Sequence, residues 1–151
     1  MAQGRSGRLH ALRPCARFTT DLPLDLIVHG GQVAQLGGRP AAEAVAELLR
    51  RRGCRVQPPE HDWKLGWVLD VRCKGRRFRC RVRGKADGVH GLLFEDRTLI
   101  GRLAGGGFAF RRALRDLMGD LRQDDRFRDV TWLSRAEFER PRQSGYPVAA
   151  G

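Results

Sequence analysis

A chain of 151 residues, 41% hydrophobic and 30% charged, is long enough to bury a core of its own and too apolar to stay unfolded. No stretch approaches the run of about 18 apolar residues that a membrane span needs, and the N-terminus lacks the apolar run of a secretory signal. The net charge of +12 is concentrated: residues 1–17 contribute +4, residues 72–85 contribute +8, and the other 120 residues balance 17 basic against 17 acidic side chains. Arg outnumbers Lys by 26 to 3, which fits a GC-rich coding bias, but that bias does not explain why the unbalanced charge sits in two segments.

Residues 1–17 carry Arg5, Arg8, Arg13 and Arg17 and no acid, and read as a disordered basic tail ahead of a body that starts at Phe18. Asp21 before "LPLDLIVH" and the Gly30-Gly31 pair after it suggest a short helix with an N-cap and a glycine stop; a strand over residues 24–29 fits nearly as well. The next helix is clearer. Pro40 suits a first turn, Ala41, Ala44, Val45, Leu48 and Leu49 recur at helical spacing, and Arg50, Arg51 and Arg52 lie at the end favoured by the dipole, before Gly53. "CRVQ" then reads as a short strand and "PPEHDWKLG" as a loop.

Residues 67–74 and 77–83 alternate with period two. Gly75-Arg76 between them suits the centre of a type II′ turn, which would set Lys74 opposite Arg77, Arg72 opposite Arg79 and Asp70 opposite Arg81. Trp67, Leu69, Val71, Cys73, Phe78, Cys80 and Val82 then form a core face. Asp70, Arg72, Lys74, Arg77, Arg79, Arg81 and Arg83 form the other. "VHGLLFED" is a further strand and "TLIGRLAGGG" a loop or irregular turn. Phe110, Ala113, Leu114, Leu117, Met118 and Leu121 mark a second amphipathic helix, and "DVTWL" a last strand. Ser134 and Glu137 make a capping-box pair that opens a short helix stopped by Pro141. Residues 141–151 read as a flexible tail. The expected class is α+β: one domain over residues 18–140, with helices on one face of an antiparallel β-meander in a two-layer sandwich.

The run "GRPAAEAVAELLRRRGCRV", then "GWVLDV", "GRRFRCRV", "GLLFEDRT" and "RFRDVTWL", resembles small uncharacterised bacterial proteins of a helix–meander–helix type. The likeness covers roughly residues 18–133 and implies that fold, with no activity or site residues attached to it. A looser similarity, in the order helix, strands, helix, is to type III secretion chaperones; those tend to be acidic, and the basic hairpin counts against them.

The candidate site is the arginine face. Like charges directly opposite on a sheet cost about 0.2–1 kcal/mol per pair, and a solvated face normally mixes signs to avoid this. Arg72, Lys74, Arg77, Arg79, Arg81 and Arg83 would therefore dock an anionic partner, either RNA or DNA or an acidic protein. The alternative for the same residues is solvation, or neutralisation by Glu95, Glu60 or Asp62. A different class of function, an immunity, adaptor or chaperone-type protein binding one cognate protein, stays open beside it. A secondary anion site is conceivable where Gly105, Gly106 and Gly107 precede a helix carrying Arg111 and Arg112, although no Walker pattern follows and a connector is the commoner meaning of such a run.

"EHD", residues 60–62, is the only compact acid/base cluster, and in a Pro-Pro loop it most simply points to solvent. Cys15, Cys54, Cys73 and Cys80 have no metal-ligand spacing, and reduced thiols in a cytoplasm fit them best. The expectation is a cytoplasmic, non-enzymatic binding protein with no cofactor and no metal.

Overall fold

Residues 13–98 and 107–140 are described by a computed structural model of the chain. In chain order the elements are β1 (Cys15–Thr20), β2 (Ile27–His29), β3 (Gln32–Gln35), α1 (Arg39–Arg51), β4 (Arg55–Val56), β5 (Glu60–Asp62), β6 (Gly66–Cys73), β7 (Arg76–Gly84), β8 (Val89–Asp96), α2 (Phe108–Gln123), β9 (Phe127–Leu133) and α3 (Arg135–Glu139). The class is α+β, with a β6–β7–β8 meander at the centre of an antiparallel sheet ordered β4-β6-β7-β8-β1-β9; β5 pairs with β6 beyond the end of β4.

The apolar stripes do what their periods require. Ala41, Val45, Leu48 and Leu49 of α1 and Phe110, Leu114, Leu117 and Leu121 of α2 bury against Leu69, Val71, Phe78, Cys80, Val82, Leu92 and Phe94 of the meander. Phe78, Phe94 and Phe110 pack ring on ring at centroid distances of 5.3–5.8 Å, and each buried aromatic contributes on the order of 2–3 kcal/mol. Both long helices therefore cover one face, as the pattern predicts. The five-residue α3 lies on the other. Arg17 Nη2 donates to the Phe138 carbonyl at 3.1 Å, and a Cβ at Gly91 would stand 2.9 Å from the Phe138 ring, so any larger residue there would push that ring aside. Ser134 accepts from the Glu137 amide and the Glu137 carboxylate accepts from the Ser134 amide, the expected capping box.

Four expectations change. Cys15, Ala16 and Arg17 belong to β1 rather than to a tail, with Cys15 and Ala16 fully buried. β1 pairs with β8 on one side and β9 on the other, long-range partners that a six-residue segment holding Arg17, Thr19 and Thr20 does not announce. Residues 24–29 form no helix: Gly30 and Gly31, at φ 57° and 79°, turn β2 back onto β3 as a separate two-stranded hairpin. "EHD" is a strand, because Glu60, His61 and Asp62 find β6 as a partner.

The fourth change concerns the central hairpin. Its bend is Lys74-Gly75, with φ of 49° and 75°, and Cys73 pairs with Arg76. Two positive φ values define a type I′ turn, whose twist matches the twist of the flanking strands. The pairing shifts by two residues from the expected register, so both faces survive, because the side-chain period is also two. The partners do not survive: Arg72 faces Arg77, Asp70 faces Arg79, Val68 faces Arg81, and Lys74 leaves the strand for the turn.

Candidate nucleic-acid interface

The outer face of the hairpin divides into two parts. In its middle, β8 brings Glu95 opposite Arg79. Arg79 donates to Glu95 through Nη2 at 2.7 Å and Nε at 3.1 Å, Arg81 Nη2 donates to the other carboxylate oxygen, and Arg135 Nη2 from α3 stands 3.6 Å from it. Burial pushes the Glu95 carboxyl up, but the hydrogen bonds and positive field of Arg79 and Arg81 outweigh that and hold it below the usual carboxylate range. Its side chain is 13% exposed. Two of the six expected docking residues are thus engaged within the monomer.

Nearer the turn the arrangement is different. The β4–β6 register pairs Arg55 with Arg72, the β6–β7 register pairs Arg72 with Arg77, and the Arg97 amide donates to the Arg77 carbonyl at 2.7 Å, carrying the ladder one strand further. Four arginines from four strand segments stand in one rung across the sheet. At about 4.8 Å between neighbouring strands the rung is about 14 Å long. All four are exposed, and none has a salt-bridge partner among the described residues. Arg55, Arg72 and Arg77, with Lys74, Arg76, Gly53 and Gly75, line a concave pocket of about 370 Å³, with no acidic side chain among the described residues that line it.

The rung holds together because the edge strand is pinned. Cys54 and Cys73 form a disulfide one rung beyond the Arg55–Arg72 pair, on the opposite face of the sheet. Arg50 Nη2 of α1 donates to the Val56 carbonyl at 2.9 Å, and the Gln57 amide donates to the Asp70 carbonyl at 3.1 Å. β4 contributes two residues to the sheet, and these ties keep Arg55 beside Arg72 against their repulsion. The disulfide corrects the reading of Cys54 and Cys73 as reduced thiols, and with it the support that reduced thiols lent to a cytoplasmic address. Cys15 and Cys80 are the free cysteines. Burial raises both thiols, Cys15 to about 11, which leaves them unreactive.

Arg83 is exposed at the far end of β7, apart from the rung. Of the secondary anion site, Gly105 and Gly106 lie outside the described residues; Gly107 is the N-cap of α2, and Arg111 and Arg112 are exposed on its first turns. The "EHD" cluster is tied down: the Leu36 amide donates to His61 Nε2 at 3.1 Å, and the amides of Lys64 and Leu65, donating to Asp62, hold its carboxyl below the usual range. Among the described residues, no three His, Cys, Asp or Glu side chains are placed to hold a metal ion, and no helix is long and apolar enough to cross a membrane.

Arg55 and Arg97 were absent from the expected site. One signal for Arg55 was present: "CR" at 54–55 and "RC" at 72–73 are reversed copies, the order that antiparallel pairing brings into register. Compared with family models, with curated proteins and with solved structures, the chain matches none.

Proposed function

We propose that this is a non-enzymatic binding protein that holds the phosphate backbone of a nucleic acid on the turn end of its arginine face. The observation that carries the reading is the rung Arg55–Arg72–Arg77–Arg97, a line of guanidinium groups with no salt-bridge partner among the described residues. Lining up like charges costs stability in the free protein, and a row of phosphates converts that repulsion into attraction. Guanidinium groups fork onto phosphate oxygens in a way that ammonium groups do not, and each rung position is an arginine.

An acidic protein would meet the same charges, but protein interfaces are built around an apolar or aromatic centre. The outward residues of β4, β6 and β7 include a single apolar side chain, Val68, at the end remote from the rung. A sugar-phosphate backbone needs no such centre. With no aromatic ring in the rung or its pocket to stack a base, binding is by charge and carries little sequence information.

Filter binding of short single-stranded RNA, single-stranded DNA and duplex DNA at low salt tests this. Four phosphate contacts give a log–log salt slope of about −3 for single strands and about −4 for duplex. The variant R55Q/R72Q/R77Q binds more weakly while its circular dichroism is unchanged. If the wild-type protein retains none of the three at low salt, the nucleic-acid reading is wrong, and an acidic protein partner becomes the reading to pursue.

A further inference from the structure

The opposite end of the same outer face holds a second cationic pocket, about 20 Å from the rung over the six strand steps from Arg77 to Arg83. It has a volume of about 310 Å³ and is enclosed by β7, β8, the β5–β6 turn and α3. Five cations line it: Arg17, Lys64, Arg81, Arg83 and Lys85. One carboxylate joins them, Glu139, which already accepts from Arg135 Nε at 3.2 Å.

Arg81 is matched by Glu95, so the unmatched cations are the other four. Lys64, Arg83 and Lys85 are exposed at the rim, and none of them has a salt-bridge partner among the described residues. Arg17 is held deeper, its guanidinium 5.6 Å from the centre of the Phe138 ring and its Nη2 on the Phe138 carbonyl. The Arg81 Nε–H is buried and has no acceptor among the described residues, a rare condition for a donor in a folded chain. The rest of the wall is mostly apolar, made by Leu65, Val89, Gly91, Leu93 and Phe138, with the His90 ring among them.

Cations on one side, an oily wall on the other and a volume at the low end of the range of about 300–1,000 Å³ for small-molecule sites describe one kind of ligand. We infer that this pocket binds a small organic phosphate of nucleotide size. The phosphates lie between Arg17 and the Lys64–Arg83–Lys85 rim, and the flat body lies against Leu93 and Phe138. The site shares no residue with the arginine rung and does not depend on the nucleic-acid reading.

Titration calorimetry at low salt with three probes tests it: ADP, inorganic pyrophosphate and adenosine. ADP binds saturably, pyrophosphate binds about tenfold more weakly because it lacks the body, and adenosine gives no heat. The variant K64Q/R83Q/K85Q, changed only at exposed side chains, keeps the wild-type melting temperature and loses about a hundredfold in ADP affinity. The rung variant R55Q/R72Q/R77Q keeps its ADP affinity. The inference is overturned by an absence of ADP binding, by pyrophosphate binding as tightly as ADP, by an unchanged ADP affinity in K64Q/R83Q/K85Q, or by loss of ADP binding in the rung variant. A wild-type protein that binds ADP but no RNA or DNA keeps this pocket and removes only the rung's proposed role.

Discussion

Around the middle of the β6–β7 hairpin, Arg79 and Arg81 share one carboxylate, whereas Arg72 and Arg77, nearer the turn, face each other with Arg55 and Arg97 on either side and no salt-bridge partner among the described residues. The two groups have the same residue type and the same face, and Arg77 shares β7 with Arg79 and Arg81. They differ in what the neighbouring strand presents. In "EDR", residues 95–97, the pleat turns Glu95 to the outer face opposite Arg79, sends Asp96 to the other face opposite Phe78, and returns Arg97 to the outer face beside Arg77. Density of positive charge along a chain therefore does not locate a binding surface. The register of the adjacent strand does.

That contrast can be broken most directly by comparing R55Q/R72Q/R77Q with R79Q/R81Q in filter binding. Each lost phosphate contact is worth about 1 kcal/mol, so the first variant weakens binding about a hundredfold, while the second changes it less than about threefold. Equal losses would show that the two halves act as one surface.

Next in size is the tie on the edge strand. C54S/C73S opens a loop with a sequence separation of 19 and lowers the unfolding free energy by about 3 kcal/mol, measured in urea. It also frees Arg55 to move away from Arg72, so binding falls in the direction of R55Q. Affinity equal to wild type would show that β4 needs no covalent tie to keep the rung intact.

Replacing Glu95 sharpens the comparison from the other side. E95Q releases Arg79 and Arg81, costs about 2 kcal/mol of stability because two charge-assisted pairs are lost, tightens nucleic-acid binding about tenfold, and steepens the duplex salt slope by about 2. A slope that stays as it was would mean that the middle of the face never meets the ligand.

The smallest effect reports on the core at the far end of the same sheet, where His90 pairs with Gly84. His90 is 2% exposed and stacks on Phe18 at 5.5 Å; burial lowers its pKa, opposed by the Gly88 carbonyl at Nδ1 and by Asp25 and Asp87. The neutral ring belongs to the folded state, so the unfolded chain binds the extra proton. The stabilisation is complete above the unfolded value of about 6.5 and declines as pH falls from there toward the lowered folded value, by at most about 1.4 kcal/mol per pH unit. H90L removes that dependence in urea midpoints taken between pH 7 and 5; an unaltered pH profile would place the titrating group elsewhere.

Much of the architecture was readable from local pattern. The stripes of α1 and α2, the two faces of the hairpin, the limits of β8 and the capping box at Ser134 follow from periods of 3.6 and 2 and from end chemistry. β1 was hidden because Arg17 and the threonines dilute its apolar signal, and its two partners lie far along the chain. Of the candidate site, Arg72, Arg77 and Lys74 were found and Arg55 and Arg97 were not, since each is a lone arginine in its own segment.

Which side chains turn inward and which turn outward is settled by backbone geometry over a few residues, and a two-residue slip at the bend leaves it untouched. Which of the outward arginines remain without a counter-ion is a different kind of quantity. It depends on side chains brought within about 5 Å by pairing between strands that the chain order keeps apart. For that reason the basic face could be read from residues 67–83, while the rung, the Glu95 clamp and the disulfide that steadies Arg55 exist only once β4, β6, β7 and β8 lie side by side.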